Sequence, residues 1–208
     1  MNAEEKKKIL IFGQTGSGKS TISEALTEKT ERLLVYDTLN NCRVKGVVID
    51  SFPELLEFWD TVTGKDERES KTRKFRIIFR PVKFKEDFDA VCELVYLLGN
   101  MTFLCEEIDT FLSHNAEALP EYFLHLVQRG RHRGIEMIGI TQRPYAIPPI
   151  LRSQAKEVYV FRQYESRDVE FFRPILRDRT DEITTLKDFE YLHWTGGSIE
   201  KGFTRKPQ

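Results

Sequence analysis

The chain has 208 residues, 32 Lys and Arg against 33 Asp and Glu, a formal net charge of -1 and 40% hydrophobic residues. That balance describes one ordinary globular domain with material for a real core, and it excludes disorder, collagen-like repeats and low-complexity composition. It also removes any global electrostatic pull toward nucleic acid or acidic membranes, so binding to either must come from local patches.

Along the chain, apolar runs of strand length alternate with amphipathic segments. The opening MNAEEKKKIL leads into Ile9 to Phe12 (ILIF), a run too short for a signal peptide and suited to a first strand. A helix over Thr21 to Glu28 follows, then a second strand at Leu33 to Tyr36 (LLVY). Pro53 stands where the first turn of a helix would begin. The segment GKDERES (Gly64 to Ser70) is charged and aperiodic, and is expected to be a mobile loop. Phe75 to Phe79 (FRIIF) reads as a third strand. Phe84, Phe88, Val91, Leu94, Val95 and Leu98 then form an apolar stripe at helical period. Met101 to Cys105 (MTFLC), Glu136 to Thr141 (EMIGIT) and Val158 to Phe161 (VYVF) read as further strands, with Pro120 opening a helix between the first two. Glu190 to Thr195 and Ser198 to Phe203 flank Gly196-Gly197, the pattern of a hairpin added at a sheet edge. Runs apolar on both faces suit parallel strands covered by helices, so the fold class expected is α/β, a single domain over residues 1–208.

Three cysteines, Cys42, Cys92 and Cys105, lack CxxC or Cys/His spacing, which argues against a disulfide framework or structural zinc and for a reducing compartment. The longest apolar region, Val91 to Cys105, is broken by Glu93 and Asn100 and cannot span a bilayer. The sequence therefore reads as cytoplasmic and without a transmembrane segment.

Directly after the first strand comes Gly13-Gln14-Thr15-Gly16-Ser17-Gly18-Lys19-Ser20, which satisfies GxxxxGK[ST] and runs through Thr21 into a helix. Glycines let successive N–H groups turn inward onto phosphate oxygens, and the helix N-terminus adds partial positive charge. Lys19 is expected on the β and γ phosphates of ATP and Ser20 on Mg2+.

MTFLC ends in Glu106-Glu107, two carboxylates at a buried strand tip where open α/β sheets bind ligands. One would hold Mg2+ and the other would polarise an attacking water. Thr141-Gln142-Arg143-Pro144 puts an amide at the next strand tip, where Gln142 can bond the γ phosphate or the lytic water. Ahead of that strand stand Arg129, Arg131 and Arg133, a solvated face, an arginine finger for a neighbouring subunit, or contacts to DNA phosphate. Lys71, Arg73, Lys74, Arg76, Arg80, Lys83 and Lys85 crowd one stretch, read either as solvent-facing residues or, at Arg73, Lys74 and Arg76, as candidate DNA contacts.

Together GQTGSGKS, Asp37 ending LLVYD, FLCEEID and GRHRGIEMIGITQRP resemble the FtsK/HerA superfamily of RecA-like, additional-strand P-loop ATPases. Within it the compact chain is most similar to genome-packaging ATPases of membrane-containing icosahedral viruses, and next to Zot-type proteins. The resemblance covers roughly Ile9 to Phe161. It implies a homo-oligomer, a hexameric ring hydrolysing ATP at subunit interfaces and pumping double-stranded DNA, docked on capsid or membrane vertex proteins in the host cytoplasm or the virion. It also implies Glu106 as the Mg2+-side acid, Glu107 as the catalytic carboxylate, Gln142 as sensor and an arginine finger among Arg129, Arg131 and Arg133. The family usually has Asp where this chain has Glu106, which changes the reach of the metal-side acid.

Two other functions fit a P-loop. A small-molecule or nucleotide kinase would use Arg162, Arg167, Arg173, Arg177 and Arg179 as a lid, but paired carboxylates suit activating water, which a kinase must exclude. An ATP-switched assembly or secretion factor of Zot type would bind nucleotide without processive work.

Overall fold

The computed structural model describes residues 6–63, 73–112 and 118–204. The expected loop Gly64 to Ser70 and Lys71 lie outside them. The six strands of the sequence reading form as β1 (Lys8–Phe12), β2 (Arg32–Tyr36), β4 (Phe75–Phe79), β5 (Met101–Cys105), β6 (Ile135–Thr141) and β7 (Glu157–Phe161). Hairpin strands β8 (Glu190–Thr195) and β9 (Ser198–Phe203) pair antiparallel around the Gly196-Gly197 turn. A further strand, β3 (Val47–Ile49), escaped the sequence reading. It is three residues long, sits at a sheet edge and exposes Val47 and Val48, so it lacks the long apolar run that marks the others.

Among the described residues nine strands form one sheet in the order β3-β4-β2-β5-β6-β1-β7-β8-β9, parallel from β3 through β7. Strand β6 lies between β1 and β5, pairing Leu10 with Gly139 on one side and Cys105 with Gly139 on the other. This inserted strand is the additional strand that the resemblance implies. At Gly139 an added Cβ would stand 3.1 Å from Ile108 Cδ1 and 3.2 Å from Leu10 Cδ2, so a glycine lets the turn after β5 close over the strand.

Alternation along the strands gives the sheet two apolar faces. Leu10, Phe12, Leu34, Phe103 and Val160 face the larger core. It is covered by α2 (Phe52–Thr63), α3 (Asp87–Leu98), α4 (Glu121–Arg129), α5 (Pro149–Gln154) and α6 (Ser166–Leu176), which contribute Trp59, Val91, Phe123, Leu151 and Phe172 among others. Ile9, Ile11, Val35 and Ile138 face a smaller core capped by α1 (Lys19–Thr27) through Ile22 and Leu26. Pro53 lies in the first turn of α2 and Pro120 immediately precedes α4, as their fixed φ favours. Among the described residues no helix is long and apolar enough to cross a membrane.

Candidate nucleotide site

All three chemical motifs converge at the C-terminal ends of β1, β5 and β6. The loop after β1 bends through Gly16 at φ 78° and Gly18 at φ 116°, left-handed geometry that glycine adopts without steric cost. Gly13 N–H donates to the Thr141 carbonyl at 3.3 Å and Ser17 N–H to the Gln14 carbonyl at 3.2 Å, which closes the cradle on β6. Its rim, Thr15, Gly16 and Ser20, is exposed while Lys19 is buried. Lys19 Nζ donates to the Gln14 carbonyl at 3.0 Å. Burial lowers the Lys19 pKa, and the nearby Glu107 and Glu106 carboxylates oppose that shift.

At the tip of β5 the two acids diverge. Glu106 is 5% exposed, and its carboxyl is pushed up to about 7 by burial first, then by the Asp37 and Glu107 charges, with Lys19 pulling the other way. Glu107 turns left-handed at φ 46°, a conformation that costs a non-glycine residue about 1 kcal/mol and is characteristic of functional turns. In that pose its Oε1 accepts Gln142 Nε2 at 2.7 Å, and Gln142 Oε1 accepts the Thr15 hydroxyl at 2.7 Å. Thr141 Oγ1 donates to Asp109 at 2.6 Å, fixing the tip of β6 to the turn after β5. A side-chain path thus runs from the phosphate cradle through Gln142 to Glu107. Only the insertion of β6 between β1 and β5 makes that path possible.

The residues that would hold a divalent cation here are Glu106 and Ser20: burial first, and then the Asp37 and Glu107 charges, keep the proton on Glu106, a cation beside it would offset both, and Ser20 offers a hydroxyl from the exposed rim. Asp37 is placed otherwise. Fully buried at the end of β2, it accepts the N–H groups of Asn41 and Cys42, each at 3.2 Å, and Arg80 Nε at 3.0 Å. It anchors the next loop and acts on the site through its charge. A cleft of 730 Å³ opens in front of Glu107 and Gln142, with Lys85 and Arg143 on its walls. The sequence reading gave Arg143 no role of its own, since a residue before proline reads as a turn.

The remaining arginines are spread elsewhere. Arg129 and the Gly130–Arg133 turn precede β6, at the opposite end of the strand from its own P-loop. Seven strand residues put about 20 Å between them. Arg129 and Arg131 are exposed there. Arg133 instead donates Nε to the Tyr96 carbonyl at 2.7 Å, donates Nη2 to the Leu97 carbonyl and stacks on the Tyr96 ring, so it caps the end of α3.

The candidate DNA residues also have partners within the chain. Arg76 donates Nε to Lys45 O at 2.7 Å and Nη1 to Thr27 O and Thr30 O, closing the C-terminus of α1. Arg73 donates to Thr61 O in the last turn of α2, and Lys74 pairs with Glu31 at 2.6 Å. All three have intramolecular work at the end of the sheet away from the cradle. Four of the five arginines considered as a kinase lid are engaged too. Arg162 pairs with Asp188, Arg173 with Glu170 and Arg179 with Glu182, while Arg167 covers the Tyr145 ring.

Solved structures share this architecture. The genome packaging NTPase B204 from Sulfolobus turreted icosahedral virus 2, in complex with AMPPCP, superposes with a TM-score of 0.76 over 98% of this chain and 100% of that chain, at 16% identity. This chain shares the fold of that NTPase. The B204-like fold extends to VirB4 of Thermoanaerobacter pseudethanolicus (TM-score 0.66, 11% identity, 96% of this chain and 90% of that one). It extends also to the bacterial conjugative coupling protein TrwB (TM-score 0.63, 12% identity, 98% and 86%). No protein-family model and no curated protein sequence matches the chain.

Proposed function

We propose that this chain is a Mg2+-dependent ATPase that drives double-stranded DNA through a ring of identical subunits, six on the family resemblance, and packages a viral genome into a preformed capsid. The observation that carries the reading is the bonded path Thr15–Gln142–Glu107 beside Lys19. A switch that merely binds nucleotide has no need for an acid held at hydrogen-bond distance from a residue that also touches the phosphate loop. The likeness to a genome packaging NTPase in complex with AMPPCP supports the packaging role.

In this reading the cradle and Lys19 hold the phosphates, and Ser20 and Glu106 would hold Mg2+. Bound there, the cation offsets charge on the β and γ phosphates. Glu107 takes the proton of the attacking water, and Gln142 sets the direction of its carboxylate. Arg129 and Arg131 lie too far from their own cradle to serve it, so either acts on the site of a neighbour or on DNA phosphate. Head-to-tail contact in a ring brings one end of each subunit to the site of the next.

The deciding experiment measures ATP turnover with and without double-stranded DNA, together with particle mass in the presence of ATP. DNA-stimulated turnover by an oligomer is expected. A monomer with DNA-independent turnover overturns the motor reading. Loss of binding in Lys19→Ala is the control that assigns the activity to this site.

A further inference from the structure

Behind the phosphate cradle, a turn leads into β8 and carries Phe189 at φ 68°, left-handed backbone that a bulky side chain rarely adopts. The turn is tied to the cradle. Phe189 N–H donates to the Ser17 carbonyl at 2.8 Å, and the Phe189 carbonyl accepts Thr204 N–H at 2.8 Å. A Cβ on Gly18 would lie 2.9 Å from Phe161 Cε1 and from Thr204 Oγ1, and 3.1 Å from Phe189 Cδ1. Glycine at that position therefore lets an aromatic wall press against the phosphate loop itself. The wall continues outward. Phe203, opposite Glu190 in the β8–β9 ladder, sets its ring edge-on to Phe189 with centroids 6.4 Å apart, yet is 62% exposed. Arg162 donates to Asp188 in the same turn at 2.7 Å.

The direction of a bound nucleotide follows from the sheet order. Glu107 and Gln142 stand at the tips of β5 and β6, on one side of β1, and mark where the terminal phosphate points. Strand β7 pairs with β1 on the other side, with β8 and β9 beyond it. A nucleoside triphosphate with its terminal phosphate toward Glu107 carries its base toward β7 through β9.

We propose that Phe203, backed by Phe189, is the stacking platform for the nucleobase of the bound nucleoside triphosphate, reading its π face. This rests on the ATP-binding reading of the cradle and adds to it the subsite that separates a nucleotide from a bare polyphosphate. An aromatic ring suits this task because every base offers a π face, and the exposed ring of Phe203 has surface left for one to stack on.

The test compares Mg-ATP with Mg-tripolyphosphate on the full chain, for wild type, Phe203→Ala and Phe203→Trp. Phe203→Ala is expected to weaken ATP about tenfold and to leave tripolyphosphate affinity unchanged, which also reports an intact cradle. Phe203→Trp is expected to keep ATP affinity and to show an indole fluorescence change with ATP but not with tripolyphosphate. Unchanged ATP affinity in Phe203→Ala overturns the subsite, as does an equal loss for both ligands, which would make the ring a support of the cradle or the seat of a protein partner. Wild-type chain that binds neither ligand overturns the ATP reading itself, a result distinct from failure of the subsite alone.

Discussion

The amide of Gln142 is bonded to the Glu107 carboxylate at 2.7 Å while the same side chain accepts the hydroxyl of Thr15 in the phosphate loop. One residue at the tip of β6 thus contacts both the cradle and the acid. Gln142→Ala breaks both bonds without touching Lys19 or the loop backbone. Nucleotide affinity should stay within about threefold of wild type while turnover falls at least about tenfold, since orientation of the acid is lost. Parallel titration and steady-state assays check this. Equal losses in binding and turnover would make Gln142 part of the cradle only.

Glu107→Gln keeps the size of the side chain and removes the capacity to accept a proton. Binding and assembly should persist, with turnover reduced about 100-fold or more. The companion Glu106→Gln leaves Glu107 intact and should act on the Mg2+ dependence of turnover. If Glu106→Gln stops turnover at saturating Mg2+ and Glu107→Gln does not, the roles of the two acids are exchanged.

Much of this is legible in the sequence. The buried parallel strands announce themselves because both faces are apolar, and the cradle is legible because one contiguous octet supplies all its backbone groups. The bond from Gln142 to Thr15 was not, since it crosses 127 positions and depends on β6 being inserted between β1 and β5. Arginines were the least legible. Arg73, Arg76 and Arg133 carry the donors that a phosphate contact requires, and the same donors satisfy the last carbonyls of α2, α1 and α3. Only the position of the neighbouring helix end decides between the two uses. Phe203 gave no signal either, because an aromatic in an edge hairpin reads as ordinary strand composition, and Phe189 lies in the turn before it.

Acid stability offers a test remote from the nucleotide site. Glu157 accepts Lys7 Nζ at 2.6 Å and His193 Nε2 at 2.9 Å. The His193 bond first, and Lys7 with it, holds the carboxyl at about 2, below its ordinary 4.5. A depressed folded value means the stabilisation is present above 4.5 and is lost as pH falls toward 2. About 2 kcal/mol is at stake after allowance for partial solvation. Glu157→Gln should lose that amount at pH 7 and show a flatter decline across this window in denaturant titrations. A decline as steep as wild type would place the acid sensitivity in other carboxylates.

The engagement of Arg76 with the end of α1 separates a structural from a DNA-binding role. Arg76→Ala should lower stability by about 2 kcal/mol, because three carbonyls lose a charged donor. The dependence of DNA affinity on salt should not move. A phosphate contact at this position would flatten the logarithmic slope by about 0.9 on duplex DNA. Thermal unfolding beside a salt series of DNA titrations distinguishes the two, and a flatter slope with unchanged stability would return Arg76 to the DNA surface.

Arg131 is exposed on the turn before β6, about 20 Å of strand away from its own cradle. If it completes the site of a neighbour, an Arg131→Ala subunit keeps a sound P-loop and damages the turnover of the subunit it abuts. A Lys19→Ala subunit has the reverse defect, since its own cradle fails while its arginine remains sound. Neither variant alone should turn over ATP appreciably. In mixed rings some interfaces join a sound cradle to a sound arginine, and activity should reappear with a maximum near equal proportions. Native mass measurement on tagged subunits establishes that the rings are mixed. Recovery absent at every ratio, in rings shown to contain both variants, would remove Arg131 from the neighbour's site and leave DNA phosphate as its partner. A salt series on Arg131→Ala then decides that remaining role, through a slope flattened by about 0.9.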